Sequence, residues 1–133
     1  MGYQLHFPFL LLFFAPFLQG QSTPRKMIAS MDGKELYQAY CASCHGAEAK
    51  GNGPVASALK RPPPDLTTLT KRHGGKFPGA DLEKVILGDK ISGAAHGSSD
   101  MPVWGPVFRQ IENDMDLGLM RVHQVVEYLK KLQ

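Results

Sequence analysis

Apolar residues recur at helical spacing in three places along the chain and run together in a fourth. Over 116–132, Val122, Val125, Val126, Leu129 and Leu132 stand at i, i+3, i+4, i+7 and i+10, an apolar stripe along one side of a helix. Lys130 and Lys131 in its last turn suit the negative end of the helix dipole. A shorter helix is predicted around Leu82, Val85 and Ile86, with Gly88 as its stop. Near the start, Asp32 followed three residues later by Glu35 has the capping-box form. The helix it opens carries Leu36, Tyr37 and Tyr40 on one face and runs into Cys41. Between these segments Gly46, Gly51, Gly53 and Pro54, then Pro62-Pro63-Pro64-Asp65, and later the Gly/Ser run 93–99, read as loops.

The fourth apolar stretch, 7–18, is shorter than the roughly 18 to 20 residues a membrane-spanning helix needs, and Pro8 and Pro16 interrupt it. Its length suits the h-region of a secretory signal, with Gly20 a small residue at the cleavage point. The n-region holds only His6 in place of Lys or Arg, and Leu18 sits where a small residue is preferred. A signal peptide over 1–20 is therefore expected, with an uncleaved membrane anchor as the alternative. Residues 21–31 read as a polar linker and 32–133 as one domain. On either alternative the domain is expected outside the cytoplasm, periplasmic or otherwise extracytoplasmic.

With 133 residues the chain fits a single domain. Lys and Arg number 15 against 12 Asp and Glu, a formal net charge of +3. The basic residues are spread out and not interleaved with aromatics on a stripe, so no nucleic-acid partner is expected. The densest basic stretch is Lys60, Arg61, Lys71, Arg72 and Lys76, with Asp65 its one acid. It is either a solvated surface or a patch that steers an acidic redox partner. Neither paired carboxylates, nor a nucleophile with its base, nor a phosphate-binding loop is present, so no independent catalytic site is predicted.

The chemistry concentrates in Cys41-Ala42-Ser43-Cys44-His45, whose C-x-x-C-H order is that of covalent haem attachment. On a helix, residues three and four apart share a face. Two thiols can then each add across a porphyrin vinyl group while the imidazole comes up beneath the iron. A thioredoxin-like dithiol belongs near a βαβ pattern, and no alternation of strand and helix is visible here. Structural zinc wants four ligands, usually in two close pairs, and the chain has no second C-x-x-C. Both cysteines are used by the motif, so no structural disulfide is expected.

For the far side of the iron the candidate is Met101, which follows a polar loop and is stiffened by Pro102. Methionine is usually core filler. Position sets this one apart from Met27 and Met31 near the linker and from Met115 and Met120 at the last helix. His96 is the other candidate, in a flexible Gly/Ser setting. Trp104 is expected beside the haem, or bonded to a propionate through its indole N–H. A ligating imidazole is fixed by a bond from its other nitrogen, here His45 Nδ1–H to a backbone carbonyl. Pro54 is the candidate for it, with an ordinary surface turn as the alternative.

With these residues in hand, the chain resembles the class I cytochromes c, small bacterial monohaem proteins. The resemblance covers roughly 33–132 and rests on the Cys41–His45 motif, Met101-Pro102 and Val125-Val126-Glu127-Tyr128-Leu129. Gly33 and Tyr37 against Val125 and Tyr128 fit the family's crossing of first and last helices. In the family the Gly-Pro element lies a few residues further on than Gly53-Pro54, which makes Pro62 the alternative carbonyl. The resemblance implies an all-α fold of three to five helices wrapped around one covalent haem c, ligated by His45 and Met101. It implies a monomeric electron carrier, not an enzyme, that meets redox partner proteins. A haem subunit of a larger respiratory enzyme, or a five-coordinate peroxidase or gas-binding domain, remains the alternative.

Overall fold

The computed structural model describes residues 1–2, 27–89, 101–111 and 114–133. The expected signal segment beyond its first two residues, most of the linker, and His96 with its Gly/Ser loop lie outside the described residues.

Every regular element among the described residues is helical. The α-helical segments are α1 (Gly33–Tyr40), α2 (Ala42–His45), α3 (Leu69–Arg72), α4 (Gly79–Leu87), α5 (Gly105–Gln110) and α6 (Met115–Lys131). Single 3-10 turns occupy Ala56–Ala58 and Leu66–Thr68. The six segments exceed the expected three to five because α2 and α3 are one turn each and α5 was not foreseen. Pro106 in the first turn of α5 starts a helix without wasting an N–H, as Pro at that position does. No helix of the described residues is long and apolar enough to cross a membrane.

The capping box at α1 forms by halves. Asp32 accepts from the Glu35 N–H at 2.8 Å, as predicted. Glu35 does not reach back to the Asp32 amide. That N–H donates to Ser30 Oγ (2.9 Å), and the Ser30 hydroxyl donates to Glu35 (2.7 Å), so Ser30 relays the second half. The end of the expected linker is thus held on the domain. Ile28 N–H donates to Tyr40 Oη at 2.7 Å, and Arg121, 1% exposed, donates from Nε to the Ser30 carbonyl at 3.3 Å.

Helix α6 is the organising element, packed against α1, α4 and α5. Asp114 caps it by accepting from Asp116 and Leu117 N–H. Val122, Val125, Val126 and Leu129 of its predicted stripe are buried, together with Leu36, Tyr37, Ile86 and Phe108 of the facing helices. The α1–α6 crossing is closest at Gly33, where an added Cβ would run into the Gln124 carbonyl and meet Tyr128 Cβ. One turn along α1, the Tyr37 and Tyr128 rings meet at 5.4 Å. A side chain at position 33 would have to push two backbones apart. Gly33→Ala is therefore expected to cost about 3 kcal/mol, the upper end for overpacking, measured as a lower urea midpoint at unchanged slope.

The far wall is built from α4 and α5. Gly88 ends α4 in the left-handed conformation (φ 89°), the cap that glycine adopts without strain. Trp104 N–H then donates to the Ile86 carbonyl at 3.0 Å, tying the start of α5 to the end of α4. The Trp104 ring stands 5.8 Å from Tyr40 and 6.2 Å from Phe108. These contacts place the 101–104 stretch opposite the α1–α2 junction.

Candidate functional site

The break between α1 and α2 falls on Cys41, whose N–H still donates to the Tyr37 carbonyl at 2.8 Å. From there one turn carries Cys44 and His45 to the same side as Cys41, and all three line one cleft. The cleft has two connected ends that share Cys41, His45, Arg61 and Met101. The narrower end, about 60 Å³, lies between Cys44, Leu59 and Trp104. The wider, about 260 Å³, is walled by Tyr37, Leu66, Leu69, Ile86, Val125 and Leu129.

A one-turn helix leaves its carbonyls without partners inside the helix. The following loop turns back and supplies them. Val55 N–H donates to Ser43 O (3.1 Å), Gly53 to Cys44 O (3.0 Å), Gly51 to His45 O (2.7 Å) and Ala49 to Gly46 O (3.0 Å). The approach is so close that a Cβ on Gly53 would overlap the Ala42 and Ser43 carbonyls. His45 is consequently gripped by its backbone from both sides. Gly53→Ala is expected to loosen this grip by about 2 kcal/mol through forced backbone shift, read as faster amide exchange at Gly51 and Gly53.

The expectation for Pro54 is corrected by this arrangement. Pro54 is exposed and stands between the Gly53 and Val55 donors at the carbonyl end of α2, on neither end of the cleft. The carbonyl beside the His45 ring is that of Pro64, not of Pro54 or Pro62. The Pro63 carbonyl docks on Gly51, where a Cβ would collide with it, and this brings Pro64 to the ring. Burial lowers the His45 pKa, and the Pro64 carbonyl offsets part of that effect. The carbonyl does not complete a bond of ordinary geometry, for His45 Nδ1 is buried without a hydrogen-bonded partner.

Neither cysteine is part of a disulfide, and both are half-buried. Burial, and secondarily the neighbouring Cys44, pushes the Cys41 thiol up to about 12. A catalytic dithiol needs the opposite, a thiol lowered toward neutrality. Zinc fares no better: among the described residues no group of three His, Cys, Asp or Glu could hold a metal ion. The donors on the cleft are instead two thiols, an imidazole and a thioether between apolar walls. That set fits a haem: the apolar walls would face its ring and the two thiols would attach it, with nitrogen and sulfur donors close by.

Met101 is half-buried against the core and lines both ends of the cleft. Met27, Met115 and Met120 are exposed (37%, 62% and 51%), and neither they nor Met31 line either end of the cleft. Trp104 lines the narrower end. Sequence reasoning missed Arg72 and His73 as lining residues of the wider end and did not separate Arg61 from its basic neighbours. Their signal was position, on either side of the 62–64 prolines that curl along the cleft. Arg72 donates to the Asp65 carbonyl at 2.6 Å, and His73 Nδ1 pairs with the Leu69 carbonyl at 2.8 Å.

The family model for cytochrome c matches residues 30–133. The chain belongs to the cytochrome c family, whose members bind haem c covalently and serve in electron transport. No curated protein and no solved structure matches the chain significantly.

Proposed function

We propose that this protein is a class I monohaem cytochrome that carries single electrons, with one haem c bound through Cys41 and Cys44 and ligated by His45 and Met101. The observation that carries this reading is that His45, both thiols and Met101 line one cleft, although 56 residues of sequence separate the imidazole from the thioether. When bound, the haem supplies one reversible electron change at its iron. Cys41 and Cys44 would hold the ring, His45 and Met101 would hold the iron, and the leucine, isoleucine and valine walls would exclude water. Histidine with methionine raises the reduction potential, and filled axial positions deny the iron to peroxide and gases. The chain thus acts as a carrier and not as an enzyme.

Exposed Lys60, Arg61, Lys71, Arg72 and Lys76 flank the proline stretch beside the cleft and are proposed to steer an acidic redox partner. Steering of this kind weakens with salt. Neither nucleic acid nor a second copy of the chain is part of the proposal, and the carrier is a monomer. It works outside the cytoplasm, delivered by the 1–20 segment as a cleaved signal peptide. Membrane attachment would follow only from retention of that segment.

Carbon monoxide added to the reduced protein tests the ligand set. An unchanged visible spectrum, with full reversible oxidation and reduction, is the expected result. Rapid carbon monoxide binding would mean an open axial position and a peroxidase or gas-binding domain.

A further inference from the structure

The first N–H groups of a helix have no partner within it. In α3 the residue at the N-cap supplies none: the Thr68 hydroxyl donates to the Asp65 carbonyl at 3.2 Å and makes no capping bond. The cap comes instead from 63 residues away, where Gln133 Oε1 accepts from Thr70 N–H at 2.9 Å. Gln133 Nε2 donates to the Leu66 carbonyl at 3.0 Å and to the Leu129 carbonyl at 2.7 Å. Both hydrogens and the oxygen of the amide are therefore engaged. The 65–72 turn is otherwise closed largely on itself. Asp65 accepts from the Thr67 N–H and hydroxyl, and its carbonyl accepts from Arg72. Outward, Leu66 N–H donates to the Ala49 carbonyl at 2.7 Å, and Gln133 ties the turn to the end of α6. The apolar side of the turn is Leu66 and Leu69, both buried, which wall the wider end of the cleft. An exposed glutamine gives up rotamer freedom to make three such bonds.

We infer that Gln133 is a positioning residue for the haem site: its amide caps α3 from the end of α6 and holds Leu66 and Leu69 where they shut water out of the wider end. The inference rests on the haem proposed above. An apolar shell around a metal controls solvent access and, through it, the reduction potential. Gln133 lines neither end of the cleft, so it acts on that potential only through the two leucines.

The test compares haem-loaded full-length Gln133→Ala with Gln133→Glu, which keeps an acceptor for Thr70 N–H but loses both donors. In Gln133→Ala the Thr70 amide should exchange about tenfold faster, the scale of one lost hydrogen bond. The Leu66 and Leu69 methyl signals, shifted by the oxidised iron according to their position, should move, and the reduction potential should fall. In Gln133→Glu the Thr70 amide should stay near wild type while the Leu66 methyls move. Unmoved leucine methyls or an unchanged potential in Gln133→Ala would make the amide a cap on helix ends alone and overturn the inference. Equal Thr70 exchange in the two variants would overturn it as well. A wild type whose leucine methyls carry no paramagnetic shift would overturn the haem reading and this one together. A measurement without variants is the Gln133 side-chain amide in the wild type, whose protons are expected to exchange slowly. Rapid exchange there would also overturn the inference.

Discussion

Met101→Ala is expected to yield a red protein that has lost the methionine-to-ferric-iron band near the red end of its spectrum and, once reduced, binds carbon monoxide. Met101 is held on the cleft wall by Pro102 behind it and by the Trp104 N–H bond to Ile86. Alanine removes the thioether without touching that scaffold. The reduction potential should fall by ~0.1 V or more, given that axial ligands move haem potentials across about 0.8 V. For a one-electron couple that is about 50-fold in the equilibrium. Stability should change much less, since Met101 is only half-buried. Retention of low-spin character in Met101→Ala, with its loss in His96→Ala or His73→Ala, would transfer the sixth position to a second imidazole.

His45→Ala should be the more damaging change. It deletes the proximal ligand and leaves a hole at a half-buried position on the cleft. Loss of a hydrogen bond that merely supports a metal ligand costs roughly 10–100-fold in affinity or activity, and loss of the ligand itself should exceed this. Haem content on expression with an intact maturation system is the measurement. A yield well below a tenth of wild type is expected, in a product lacking a low-spin spectrum. The Cys41 and Cys44 thiols alone cannot substitute, because they secure the ring edge and not the iron. Wild-type haem content and spectrum in His45→Ala would remove the imidazole from the site.

Much of this was legible in the residues themselves. The α6 stripe was visible because burial on one side imposes a 3.6-residue period, and the predicted span 116–132 differs from Met115–Lys131 by one residue at each end. The C-x-x-C-H motif was legible because its chemistry requires fixed spacing. Arg121 was not: a buried cation satisfied by carbonyls 91 and 13 residues away leaves no local trace. Helix α5 escaped because its few residues carry glycine and proline, which read as punctuation. The Pro54 assignment failed for a related reason. The chain folds back twice between Gly51 and Pro64, and which carbonyl reaches the ring depends on docking that spacing does not encode. Met101 was placed by its flanks alone, and its meeting with His45 across the cleft is a tertiary fact.

The dependence on haem is open to one direct measurement, the mass of the proteolytic peptide that contains Cys41 and Cys44 from denatured wild-type protein. A peptide heavier by one haem, coloured, with neither thiol open to alkylation, is the predicted result. A colourless peptide of unmodified mass whose two thiols alkylate freely would contradict it.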